Sequence, residues 1–191
     1  MKISKCKNNK NGYFQGPCIL EPEIYSDERG LFFESWNKRS FDKLINQKIY
    51  FIQDNQSISR KGVLRGMHYQ LPPMEQGKLV RCSFGSVYDV IVDLRKNSST
   101  YSLWSGIYLN SDLNKQLWIP PGFAHGFLSL EEGTIFEYKV TNYWSKNHEK
   151  SLSWKDPVVN IVWPSNPNFY ISDKDNKAFS IKTLEANDYL F

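Results

Sequence analysis

An all-β single domain is the fold class this sequence predicts, and three observations carry the prediction. Aromatic residues make up 15% of the 191 positions, and aromatic side chains favour pleated, half-buried strands. The 9 prolines and 11 glycines are scattered along the chain, as strand punctuation is, rather than clustered. From residue 49 to about 164, short apolar segments recur between Gly, Pro, Asn and Ser. Many short strands at regular spacing indicate a sandwich, a jelly roll or a barrel. The length suits one domain with a substantial core.

Taken in order, residues 1–16 read as a polar leader, poorly ordered and outside the domain, which then spans 17–191. CILEPEIY is strand-like, and the corner Ser26-Asp27-Glu28-Arg29-Gly30 followed by LFFESWN fits a hairpin with a longer loop. In NKRSFDKLINQK, Phe41, Leu44 and Ile45 fall at helical spacing, and Ser40 is the expected N-cap of a single short helix. Strands follow at IYFIQDNQS, GVLRGMHYQ, KLVRCSFG, VYDVIVDL, WSGIYLN, KQLWIPP, GFLSL and TIFEYKV. The tail from 165 is polar, with a short helix expected at its end. No internal repeat or low-complexity segment is present.

Net charge is +4, with Lys and Arg interspersed among Asp and Glu. No basic stripe marks a nucleic-acid binder. Cys6, Cys18 and Cys82 are odd in number and lack CxxC spacing, which argues against a disulfide framework or a zinc site. No apolar run approaches the ~18 residues of a membrane span, and the first residues lack a signal-peptide core. A cytoplasmic protein with neither a nucleic-acid nor a membrane partner is expected.

Three histidines are present. His68 lies in RGMHYQ between a strand and a loop, His125 in PPGFAHGF as a Pro/Gly-rich turn between strands, and His148 among surface charges. Alone, each reads first as a structural histidine. There is no HxH pair, so no metal is expected. There is no GxSxG, P-loop or GxGxxG either, and Cys82 reads as a core cysteine. Acid–base chemistry remains: a His base, an orienting carboxylate, a Tyr acid and a cation beside a developing oxyanion. Lys78 follows His68 by ten residues across a loop, close enough for an adjoining strand. Tyr138 shares a strand face with Phe136 and Val140, and reads alone as a cavity-wall aromatic. Asp175 reads alone as a solvated charge.

GVLRGMHYQLPPMEQGKLVRCSFGSVYDVIVDLRKNS, QLWIPPGFAHGFLSL, EYKVTNYW and ISDKD together resemble the dTDP-4-dehydrorhamnose 3,5-epimerase family, over residues 18–176. The resemblance implies a cupin-type jelly roll (a double-stranded β-helix), a homodimer, a dTDP-4-keto-6-deoxyhexose substrate and no cofactor. It implies a base at His68, its carboxylate partner at Asp175, an acid at Tyr138 and a cation near the C4 oxygen at Lys78. Arg65 and His125 match residues lining the sugar and phosphate pocket, and Asp89 a carboxylate supporting it. Arg29, Phe32, Glu34, Gln53 and Asn55 match nucleotide-binding positions, some of which come from the partner subunit in that family. Tyr143 of TNYW is a further substrate-binding candidate, and Trp144 stands where the family often has a second Tyr. A mono-epimerase, a non-catalytic sugar-nucleotide-binding cupin, and a ketoisomerase or dehydratase are the competing readings.

Overall fold

In the computed structural model, which describes residues 1–165 and 168–191, strands dominate. They begin with β1 (Lys2–Lys7) and β2 (Tyr13–Glu21), followed by the hairpin of β3 (Ile24–Asp27) and β4 (Gly30–Phe33) and by helix α1 (Lys38–Ile45). Then come β5 (Gln53–Ser59), β6 (Val63–Gln70), β7 (Lys78–Phe84), β8 (Ser86–Asp93), β9 (Trp104–Asn110), β10 (Gln116–Ile119), β11 (Phe123–Ser129) and β12 (Thr134–Val140). The chain closes with β13 (Glu149–Ser151), β14 (Tyr170–Ile171), α2 (Asp173–Asn176) and α3 (Ile181–Ala186). The expected polar tail from 165 includes residues 166 and 167, which lie outside the described residues.

Two sheets face each other. One runs β1-β2-β10-β7-β12-β5; the other runs β13-β6-β11-β8-β9, with β14 added beside β6. Crossovers between non-consecutive strands give the jelly roll. Between the sheets, Val80, Cys82, Leu117 and Phe136 from the first pack against Val87, Ile91, Leu109 and Phe127 from the second. Apolar alternation along each strand points these residues inward, and their burial supplies the main drive to fold.

Two expectations need correction. The expected leader is an edge strand: β1 pairs antiparallel with β2, Lys2 opposite Glu21 and Lys5 opposite Cys18. Only Cys6 of β1 is buried, so the segment reads as polar, and lysines are one way an edge strand is kept from pairing with other chains. The expected N-cap Ser40 lies inside α1. The cap is Asn37, extended at φ −144°, whose Oδ1 accepts from the Ser40 N–H. All three cysteines are buried and free. Among the described residues, no helix is long and apolar enough to cross a membrane.

Candidate active site

A cavity of about 440 Å³ opens between the sheets, walled by β6 and β11 on one side and by β5, β7 and β12 on the other. In a regular strand Arg65 and His68, three positions apart, face opposite ways, yet both line this cavity. The register explains it: His125 pairs with His68 but Phe127 with Arg65, so β6 carries one extra residue, a bulge that re-aims a side chain. Gly66 sits in that stretch at φ +137°, and a Cβ there would lie 2.5 Å from the Gly126 Cα. Only glycine meets both conditions.

His68 Nε2 is 2.6 Å from Asp175 Oδ1, with the His68 side chain 30% exposed and that of Asp175 5%. Asp175 is no solvated charge: α2, capped by Ser172, turns it inward, where its Oδ2 also accepts from the Gly66 N–H at 3.3 Å. Burial alone would raise this carboxyl. The hydrogen bonds from His68, Gly66 and Ser172 outweigh it and hold Asp175 below the usual carboxylate range.

Lys78 opens β7, so it comes from the facing sheet and not, as expected, from a strand adjoining His68. Its side chain reaches across, Nζ donating to the His68 carbonyl at 3.2 Å. Burial pushes its pKa down to about 8. Tyr138 faces the cavity from β12, on the sheet opposite His68, and burial raises its hydroxyl pKa. Base and tyrosine thus look at a bound molecule from two sides.

His125 also needs correction: it lies in the middle of β11, not in a turn. Pro120–Gly122 make the turn, and FAHGFLS is buried throughout. His125 Nε2 meets Asp89 Oδ2 at 2.9 Å. Asp89 is 0% exposed, so it supports His125 from beneath and does not line the cavity as a substrate-binding residue. Arg65 is held by Ser59 Oγ at 3.2 Å.

A smaller adjoining cavity of about 130 Å³ shares His68, Lys78 and Tyr138, and adds Gln53, Asn55 and Trp144. Gln53 Nε2 donates to Asn55 Oδ1 at 2.8 Å, and the Trp144 backbone N–H donates to Gln53 Oε1 at 3.3 Å. Tyr143 lines neither cavity; it is 60% exposed, and its carbonyl accepts from Gln70 Nε2. Arg29 and Phe32 are not brought to the site either. They line a separate hollow on the β3–β4 hairpin, with Phe32 72% exposed and Arg29 paired to Asp27. Glu34, just beyond, accepts from Asn37 Nδ2.

Sequence reasoning missed Glu149 and Lys174, which pair at 2.6 Å. Lys174 lines the larger cavity and Glu149 the smaller. Lys174 stands next to Asp175 in SDKD, a usable signal. Glu149 lies in a run of charges that reads as solvated, and gave none. No cluster of three or more potential metal ligands occurs among the described residues.

Residues 12–183 match the family model described as dTDP-4-dehydrorhamnose 3,5-epimerase. A Shigella flexneri dTDP-4-dehydrorhamnose 3,5-epimerase is 51% identical over 158 residues, 82% of this chain and 86% of that one. The structure is similar to that of a dTDP-6-deoxy-D-glucose-3,5-epimerase from Legionella pneumophila in complex with dTDP-4-keto-L-rhamnose. The TM-score is 0.90 at 39% identity, covering 99% of this chain and 97% of that chain. It is also similar to a 3'-monoepimerase from Streptomyces bikiniensis in complex with dTDP-quinovose, at TM-score 0.87 and 31% identity, covering 92% and 89%.

Proposed function

The chain belongs to the dTDP-4-dehydrorhamnose 3,5-epimerase family, and from that premise we propose how its own residues perform the isomerisation. The enzyme epimerises C3 and C5 of dTDP-4-dehydro-6-deoxy-D-glucose to give dTDP-4-dehydro-L-rhamnose. One observation carries the reading: His68 and Tyr138 border a single cavity from opposite sheets, with the buried Lys78 amine beside them.

Protons on C3 and C5 are both α to the C4 ketone, so removing either leaves an enolate with its charge on O4. Asp175, kept ionised by its donors, accepts the Nε2 hydrogen of His68. That leaves Nδ1 as the basic nitrogen, which takes the carbon-bound proton. General-base catalysis of this kind contributes about 10²–10⁴-fold. Lys78, charged below about pH 8, stabilises the oxyanion where it develops, a donor worth roughly 10²–10³-fold. Inversion at C5 needs a proton from the other side. Tyr138, on the facing sheet, supplies it, and water supplies the proton at C3.

Arg65 binds the diphosphate, which guanidinium grips with parallel hydrogen bonds. Gln53 and Asn55 hold the nucleotide from the adjoining cavity. The exposed Arg29, Phe32 and Glu34 act across a homodimer, reaching the site of a second copy. Tyr25, Leu31 and Phe32 stand exposed together on this hairpin, and a contiguous exposed apolar patch marks an interaction surface. Three free, buried cysteines fit a reducing compartment such as the cytoplasm. Trp144, where the family often has Tyr, favours a narrower second reading, inversion at one carbon only.

Incubation with dTDP-4-keto-6-deoxyglucose in D2O tests the proposal by NMR and mass spectrometry. Deuterium at both C3 and C5 is expected. Deuterium at one carbon establishes the mono-epimerase, and none at either carbon removes the epimerase reading.

A further inference from the structure

The two sheets end together twice. On the side of the active site they end in β5 and β13; on the other side they end in β1 and β9. A groove of about 820 Å³ lies between β1 and β9, and it shares no lining residue with the active-site cavity. β1 pairs with β2 alone and β9 with β8 alone, so each keeps a row of backbone groups without a strand partner. The edges meet at one end of the groove. There the Asn9 N–H donates to the Trp104 carbonyl at 2.8 Å, and the Trp104 backbone N–H donates to Asn9 Oδ1 at 3.3 Å.

Charge is concentrated on this edge. Residues 1–16 hold Lys2, Lys5, Lys7 and Lys10 and no Asp or Glu, so they match the whole chain's net charge of +4. Lys5 and Lys7 border the groove, and no carboxylate lines it. Two donors at its joined end have no partner among the described residues. One is Trp104 Nε1. The other is Asn8 Nδ2, on a residue only 7% exposed, whose Oδ1 is taken by the N–H groups of Lys10 and Gly12. Enclosed donors are costly until an acceptor meets them. Ile19 and Ile107 give the groove an apolar floor against the core. Along β1 the faces alternate: Lys5 stands opposite Cys18 on the side that α1 covers, and Cys6 points into the core. A strand laid beside β1 thus turns one set of alternate side chains to the lysines and the other set to the apolar floor.

We propose that this groove takes an extended acidic segment of another protein, which alternates carboxylate and apolar side chains and adds to β1 as a further strand. In strand addition the main chain supplies affinity and alternate side chains supply specificity. A second copy of β1 would set lysine against lysine, which is repulsive across strands. The lysines that keep like copies apart therefore select a partner of opposite charge. This docking uses none of the groups assigned to proton transfer, and stands independently of the epimerase reading.

The test uses the full chain and a capped synthetic peptide alternating Glu and Val over about eight residues, enough to span β1 at roughly 3.3 Å per residue. In nitrogen-15 NMR, the Trp104 indole and Asn8 side-chain amide signals are expected to shift on titration. Amides of β1 are expected to gain protection from hydrogen exchange. Lys5→Glu/Lys7→Glu is expected to weaken binding by about tenfold or more, since two attractive cross-strand pairs become repulsive. The same variant is expected to bind a Lys–Val peptide that the wild type rejects, with kcat unchanged. No shift at Trp104 and Asn8 in the wild type overturns the proposal. Equal binding of a peptide with its Glu and Val residues in two separate blocks also overturns it, because charge alone would then be read. Protection of β1 that rises with protein concentration and needs no peptide would assign the edge to a second copy. Phosphatidylserine vesicles bound in place of the peptide would assign the lysines to a membrane surface, and either result contradicts the acidic strand.

Discussion

His68 and His125 stand opposite each other on β6 and β11, and each meets an aspartate through Nε2. Their surroundings differ. Asp175 gains hydrogen bonds from His68, the Gly66 N–H and Ser172, and its pKa falls. Among the described residues Asp89 has a hydrogen bond from His125 alone; it is sealed from solvent, and burial raises its pKa despite the nearby His125 and Lys78. The His68 side chain is 30% exposed against 7% for His125. Identical residue pairs are thus given carboxylates with opposite pKa shifts by their environment. Titratable pairs pushed apart in this way mark a division of labour in acid–base sites.

The comparison breaks hardest at His68. His68→Ala removes the base and is expected to abolish turnover, a loss of at least about 10³-fold, while dTDP binding by calorimetry stays largely intact. Loss of nucleotide binding with epimerisation retained would place the base elsewhere. Asp175→Asn sharpens the contrast with Asp89. Here the carboxylate is the acceptor, so the amide is expected to cost on the order of 10⁴-fold in kcat by orienting the wrong tautomer. A D175N enzyme near wild-type rate would show that the Asp175 carboxylate does not set the His68 tautomer.

Lys78 gives a smaller, pH-dependent effect. The amine is charged below its pKa of about 8 and neutral above it, so kcat is expected to fall as pH rises through about 8. Stability runs the other way. Between about 8 and 10.5 the unfolded chain binds a proton that native Lys78 does not, so folding gains with pH over that window. Lys78→Arg keeps the charge at all working pH values, and the basic limb is expected to move up. A limb unmoved in the Arg variant would assign it to another group. The smallest effect is expected at the exposed Trp144: Trp144→Tyr leaves kcat within about threefold, a change below 1 kcal/mol. Its readout is the ratio of deuterium at C3 to that at C5.

Much of this was legible in the sequence, for physical reasons. Alternating apolar residues and evenly spaced turns reported the sheets, and the spaced motifs reported His68, Lys78, Tyr138 and Asp175. What failed was whatever depends on long-range pairing. The lysines of β1 suggested a loose leader because an edge strand exposes nearly all its side chains. Lys78 was expected next to His68 because chain proximity does not say which sheet a strand joins. Asp89 could not be ranked as fully buried, because inward and outward positions of a strand are told apart only once both sheets are in place. Glu149 was hidden because its partner, Lys174, is 25 residues away in sequence.

The central claim is that base and acid act from opposite sheets, and Tyr138→Phe in D2O tests it most directly. The account predicts that the variant still exchanges carbon-bound protons with solvent but no longer inverts C5. Normal L-configured product at the wild-type rate would contradict it, since the proton at C5 would then come from a group other than Tyr138.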